Sequence, residues 1–183
     1  MTPVDAALLG LVQGLTEFLP VSSSGHLVLT ASLLGLEPNL LFDVLVHLAT
    51  LIATVLYYRK DVVQVGASLV KAPSCGWAAS WNDPSFRLAM YVVAASVPTA
   101  AMGLGLKDLI ESQFANPGYV GLFLTVTGAL LALTLLRKNS TSTTQLTLGL
   151  AILLGCVQGC AILPGISRSG STIAVALLLG IAG

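Results

Sequence analysis

Two runs of nineteen residues, Leu88 to Leu106 and Gly118 to Leu136, carry no charged side chain. A helix needs about 20 mainly apolar residues to cross a hydrocarbon core, so each run is sized for a bilayer. The whole chain agrees: of its 183 residues 55% are hydrophobic and 9% charged, against about 25% charged in soluble domains. Mean hydropathy is +0.91. A third run, Leu40 to Tyr58, is also long enough to span and ends in Tyr57, Tyr58, Arg59 and Lys60, which suit the interface. The expectation is an all-α integral membrane protein with a single membrane domain over residues 1–183. A net charge of zero gives no sign of a nucleic-acid partner, whose binders show basic clusters. Met1 to Gly14 lacks a basic n-region and a cleavage site, so no secretory signal peptide is expected. Cys75, Cys156 and Cys160 lack metal-type spacing, and the last two read as small packing residues one turn apart.

One stretch occurs twice. Gly10, Val12, Gln13, Gly14, Ser22, Ser24 and Gly25 recur 145 residues later as Gly155, Val157, Gln158, Gly159, Ser167, Ser169 and Gly170, while the proline slips by one, Pro20 to Pro164. Each copy runs apolar residues, Pro, a Ser/Gly cluster, then apolar residues again. That order reads as a helix, a break, and a new helix starting at a serine N-cap. Ala6 to Thr16 and His26 to Leu36 are too short to span singly, so the first copy is expected to be a re-entrant hairpin before Glu37-Pro38-Asn39. Non-helical backbone at membrane depth is tolerated only where protein or a water-filled cavity satisfies it, so the Ser-Ser-Ser-Gly turn should line a pocket.

The remaining segments are expected to connect. Residues 59–87 read as a polar loop whose Trp77 and Trp81 suit the headgroups, residues 107–117 as a turn with Lys107, Asp108 and Glu111, and Asn139 to Thr144 as a linker. Pro98 should bend its span. Three crossings place Arg59, Lys60, Lys71, Arg87, Arg137 and Lys138 on one side and Lys107 on the other. The positive-inside rule makes the first side cytoplasmic. The hairpins would then enter from opposite faces as inverted-topology repeats meeting near the midplane: residues 1–110 the first repeat, 118–136 a linking crossing, 146–183 the start of a second.

At each break the new helix offers unsatisfied N–H groups and its positive dipole end, an anion site. Two such ends would suit a diphosphate held by Ser22, Ser24, Gly25, Ser167, Ser169 and Gly170. Arg168 is expected buried at the second tip, either gripping phosphate oxygens or serving as counter-ion to Glu17. Ser23 is a candidate nucleophile with His26, about one turn on, as its proton partner; the bland reading is an N-cap beside a core histidine. Glu17 and Gln13 share a helix face and could hold a divalent cation, Mg²⁺ or Ca²⁺, together with phosphate oxygens. Glu17 could instead pair with Arg168 or polarise His26. Asp43 and His47 either line the pocket mouth or sit at the interface.

These residues resemble the undecaprenyl-diphosphate phosphatase family linked to bacitracin resistance. The motif of Glu/Gln, three residues, Glu, then Pro-x-Ser-Ser-Ser/Thr-Gly-His is met by Gln13, Glu17, Pro20, Ser22, Ser23, Ser24, Gly25 and His26, and Pro-Gly-x-Ser-Arg-Ser-Gly by Pro164 to Gly170. The resemblance implies a multi-pass enzyme of the cytoplasmic membrane, its active site opening to the outer face. It would hydrolyse undecaprenyl diphosphate, a polyprenyl diphosphate lipid, to undecaprenyl phosphate and phosphate, recycling the carrier of cell-wall synthesis. In that scheme Ser23 attacks the terminal phosphorus, His26 assists proton transfer, Arg168 stabilises the phosphoryl group, and Glu17 with Gln13 serves a divalent cation or acid/base support. A homodimer is compatible with this reading.

The repeat offset calls for partners of the crossings at 40–58 and 88–106 near 185–203 and 233–251. The chain therefore looks like a family member without its last third, and a second hairpin left unpaired would open its pocket to lipid. Two rivals stay open: a lipid-phosphate or anion transporter, whose architecture also uses discontinuous helices at midplane, and an inactive remnant.

Overall fold

The computed structural model describes residues 1–37, 39–106, 117–136 and 144–181, which are helical apart from their connections and one isolated bridge between Thr144 and Ile181. The expected turn with Lys107, Asp108 and Glu111, the cations Arg137 and Lys138, and the linker from Asn139 up to Thr144 lie outside the described residues.

Start signals written in the sequence fix the helix ends. Helix α1, Pro3–Thr16, opens on a capping box in which Thr2 and Asp5 satisfy each other's backbone N–H, with Pro3 in the first turn. Helix α2 is Ser23–Leu33, capped by Ser22. Asn39 caps α3, Leu40–Tyr57, through the Phe42 N–H. Helix α4, Arg59–Cys75, and the single turn α5, Trp77–Ser80, lead to α6, Pro84–Gly105, capped by Asp83. Helix α7, Pro117–Leu135, α8, Leu148–Cys160, and α9, Arg168–Leu178, complete the described chain. Among them α3, α6 and the Gly118–Leu135 part of α7 are long and apolar enough to cross a membrane. Their apolar side chains are largely exposed, as Leu41, Leu45, Val97 and Leu133 illustrate, which suits lipid rather than water.

The polar loop expected over residues 59–87 is a correction. Most of it is α4 and α5, and α6 starts within it at Pro84. Val65, Ser68 and Ala72 recur at helical spacing on the covered side of α4, which packs on α6, and Gln64 reaches across to the Ser85 hydroxyl at 2.9 Å. That face is built from small residues, so a hydropathy scan passes over it although the helix is periodic. Trp77 and Trp81 both stack edge-on to the buried Phe86, each with ring centroids 5.8 Å away.

Helices α6 and α8 make the broadest helix–helix contact, and glycine is the reason. A Cβ at Gly155 would sit 2.2 Å from the Ala95 carbonyl oxygen, and one at Gly159 would sit 2.6 Å from Met102 Sδ. Gly155 and Gly159 form a GxxxG face that lets two backbones touch. The contact is closed by the Thr99 hydroxyl, which donates to the Gly155 carbonyl at 2.8 Å.

The repeat is structural as well as sequential. Helix α2 spans Ser23–Leu33 and α9 spans Arg168–Leu178, each shifted by the same 145 residues, with N-caps Ser22 and Ser167. Both end alike: Gly35 at φ 67° and Gly180 at φ 85° accept a left-handed turn. Leu36 N–H then reaches the Ala31 carbonyl, as Ile181 N–H reaches that of Ala176, both the outer bond of a Schellman motif. Gly10 and Gly14 on α1 match Gly155 and Gly159, yet a Cβ on either would meet open space. This difference yields a paired test in detergent. Gly155→Ala should lower stability by about 2 kcal/mol through overpacking, while Gly10→Ala should be neutral or gain up to about 1 kcal/mol of helix propensity. Thermal unfolding measures both, and equal effects would contradict the α6–α8 contact.

Candidate active site

The two helix breaks meet backbone to backbone. A Cβ at Gly25 would lie 2.9 Å from Gly165 Cα, and a Cβ at Gly170 would lie 2.7 Å from the Pro20 carbonyl oxygen. Under the 145-residue offset Gly25 corresponds to Gly170 and Pro20 to Gly165, so the contact is reciprocal, as a two-fold relation requires. Each tip caps its own helix: Ser22 Oγ accepts from Gly25 N–H at 3.4 Å and Ser167 Oγ from Gly170 N–H at 3.0 Å. Helix α7 fastens the second tip. The buried Thr127 hydroxyl donates to the Gly165 carbonyl at 2.9 Å and accepts from Ser167 N–H at 3.0 Å. The tips differ in how they turn, because the first uses Ser22 at φ 66° and the second Gly165 at φ 98°. A left-handed serine costs of order 1 kcal/mol and persists where the surroundings dictate it, commonly at functional sites.

Glu17 sits just past the end of α1 and is the hub. Its Oε2 accepts the Ser23 hydroxyl at 2.5 Å and the Gln13 amide N–H at 2.8 Å. His47 Nε2 of α3 approaches the same oxygen at 3.9 Å. Gln13 is fully buried, and its Oε1 is left without a hydrogen-bond partner among the described residues. Beside this group lies a cavity of about 320 Å³ whose lining includes Glu17, Ser22, Ser23, Ser24, Ser167 and Arg168. A second cavity, about 330 Å³, shares Ser24 and Arg168 and adds Asp43, His47 and apolar residues such as Leu27 and Val44.

The residues singled out in the sequence are therefore largely gathered: Ser22, Ser23, Ser24, Ser167, Arg168, Ser169 and Glu17 line one cavity, with Gln13 bonded to Glu17. Gly25 and Gly170 supply the close approach. His26 stands apart from the Ser23–Glu17 bond, since its Nδ1 meets the Ser22 carbonyl at 2.9 Å. A carbonyl can only accept, so Nδ1 is the donor there, and in the neutral ring Nε2 is an acceptor. Arg168 was expected buried and is exposed; it makes no ion pair with Glu17 among the described residues, where His47 has that place. Asp43 and His47 line the adjoining cavity. Sequence reading missed Thr127, hidden in a charge-free run, and Gln158 and Thr172, which also line the first cavity. The repeat itself could have flagged Gln158, the counterpart of Gln13.

This geometry offers a hydroxyl bonded to a carboxylate and faced by a guanidinium and two helix N-termini. Such a set suits attack on a phosphorus centre, with charge on the phosphoryl oxygens met by fixed donors. Among the described residues no group of three or more His, Cys, Asp or Glu side chains comes together, so a cation here would draw on the one carboxylate of Glu17 with amide and phosphate oxygens.

Comparison with known proteins places the chain. The family model for bacitracin resistance protein BacA matches residues 6–183. Proteins named undecaprenyl-diphosphatase are similar along nearly all of it. That of Desulfosudis oleivorans is 47% identical over 99% of this chain and 68% of its own length. For Carboxydothermus hydrogenoformans the values are 44%, 99% and 64%, and for Methanobrevibacter smithii 41%, 99% and 68%. The chain thus spans about two thirds of the length of these relatives. With a match this long and specific, the chain belongs to the bacitracin resistance protein BacA family.

Proposed function

We propose that this protein hydrolyses undecaprenyl diphosphate to undecaprenyl phosphate and inorganic phosphate. The carrying observation is the Ser23 hydroxyl donating to Glu17 at 2.5 Å in a cavity that also holds Arg168. A transporter of anions or lipid phosphates needs no such pair. Relatives that carry the name undecaprenyl-diphosphatase support the substrate.

In the first step Ser23 Oγ bonds to the terminal phosphorus while the bond from that phosphorus to the bridging oxygen breaks. Undecaprenyl phosphate leaves with the bridging oxygen, and the Ser23 proton passes to Glu17. Water then attacks the phosphoserine, giving its proton to His26 Nε2. The Oγ–phosphorus bond breaks, Ser23 takes back the proton from Glu17, and phosphate departs with the proton held by His26. Arg168 and the N–H groups opening α2 and α9 hold the phosphoryl oxygens. A divalent cation, Mg²⁺ or Ca²⁺, fits this donor set: the buried unpartnered Gln13 Oε1 and the Glu17 carboxylate are hard oxygen ligands that phosphate oxygens would complete. Bound there, it would neutralise diphosphate charge.

The placement in the membrane is part of the same reading. Helix pairs α1–α2 and α8–α9 are re-entrant hairpins that enter from opposite faces and meet near the midplane. Arg59, Lys60, Lys71 and Arg87 mark the cytoplasmic side, so the site opens to the outer face of the cytoplasmic membrane. By the repeat, the open Gly10–Gly14 face of α1 is shaped for a helix resembling α6.

Ser23→Ala should cut phosphate release by about 10³-fold or more while binding of a methylene-bridged diphosphate analogue stays within about threefold. Unchanged turnover would remove Ser23 as nucleophile. With substrate radiolabelled in the terminal phosphate, Glu17→Gln should slow the appearance of phosphoserine, and His26→Gln should let it accumulate. Loss of phosphoserine formation in His26→Gln would exchange the two roles.

A further inference from the structure

We propose that His47 is a positioning residue that holds Glu17 against Ser23 from α3. The inference rests on the reading of Ser23 and Glu17 as nucleophile and base and extends it to a residue outside both helix breaks. Glu17 lies beyond the last turn of α1, where its own helix steadies it only through Gln13. A carboxylate that must face one hydroxyl needs a second constraint from another direction. His47 provides it. Its Nδ1 donates to the Asp43 carbonyl, one turn back in α3, at 2.7 Å. That bond orients the ring and leaves Nε2 turned to Glu17 Oε2, the oxygen that accepts the Ser23 hydroxyl; with the Nδ1 proton committed to the carbonyl, Nε2 donates to Oε2 only when the ring carries both protons. At 3.9 Å the contact is looser than a hydrogen bond, and such contacts commonly tighten when substrate binds. Both side chains are about three-quarters buried, with exposures of 27% and 29%.

The place of the contact adds a reason for it. Glu17 lines the polar cavity and His47 the more apolar one, and the two cavities share Ser24 and Arg168. The His47–Glu17 contact therefore spans the boundary between the space for a phosphate and a space walled by Leu27, Leu40, Val44 and Ile162. An occupant of the apolar cavity would press on α3 and so bear on the base. Any donor of an N–H to Oε2 at this position should serve, which makes glutamine the informative replacement.

The test compares the parent with His47→Ala and His47→Gln in detergent, with melting temperature as the folding control. The first readout is the rate at which an alkyl fluorophosphonate labels Ser23. In that reaction Oγ bonds to phosphorus, fluoride leaves, and the proton goes to Glu17. The second is phosphate release from polyprenyl diphosphate. His47→Ala should slow labelling about tenfold or more, and His47→Gln should recover it to within about threefold of the parent. Where phosphate is released, the loss in His47→Ala should fall on kcat, with KM within about twofold. Labelling of His47→Ala at the parental rate, or equal loss in both variants, would overturn the proposal. So would a parent whose Ser23 is not labelled at all. A parent labelled with the expected variant pattern but releasing no phosphate would uphold the role of His47 and sink the substrate reading.

Discussion

Two helix breaks pressed together backbone to backbone are the constraint on which this structure depends. An uncovered backbone N–H or C=O in hydrocarbon costs several kcal/mol, so a helix can break at membrane depth only where other protein covers the break. Here each break covers the other. Gly25 lies on Gly165 and Gly170 on the Pro20 carbonyl, and any side chain at either helix glycine would hold the tips apart. Thr127 supplies the donor and acceptor that Gly165 and Ser167 lack. The α6–α8 crossing, again through glycine, then seats the second hairpin beside a long helix.

On this nearly symmetric scaffold the chemistry is unequal. The positions of Glu17, Ser23 and His26 are taken in the second copy by Ile162, Arg168 and Ser171. One tip therefore carries the hydroxyl, bonded to the Glu17 carboxylate, and the other carries the guanidinium. A duplicated helix break that meets its own copy solves the backbone problem twice and frees the side chains to diverge. The left-handed residue also sits at a different place in each copy, at Gly165 in the second and at Ser22 in the first, whose counterpart Ser167 is extended. The Ser22 hydroxyl caps α2 while its carbonyl meets His26 Nδ1.

Much of this was written in the sequence because the signals were local. Charge-free runs gave the spanning helices, Pro and Ser/Gly clusters gave the breaks, and identities at one offset gave the repeat. What escaped had long-range or muted signals. Helix α4 is periodic but carries many polar and charged residues, so its average hydropathy is low and a hydropathy scan passes over it. The choice of Glu17 rather than His26 as partner of Ser23 depends on how the chain folds through Leu19 to Ser22, where helical periodicity does not apply. His47 is thirty residues from Glu17 in the chain and reaches it only through the packing of α1 on α3. Thr127 reads as a mild polar residue in a span until the second tip is seen hanging from it.

The most direct measurement is an experimental structure of the protein with orthovanadate, which takes the geometry of a phosphoryl group under attack. The account predicts vanadium bonded to Ser23 Oγ, its equatorial oxygens contacted by Arg168 and by N–H groups of both helix starts. Vanadate held by one tip alone, or bound with Ser23 and Arg168 on separate surfaces, would contradict it.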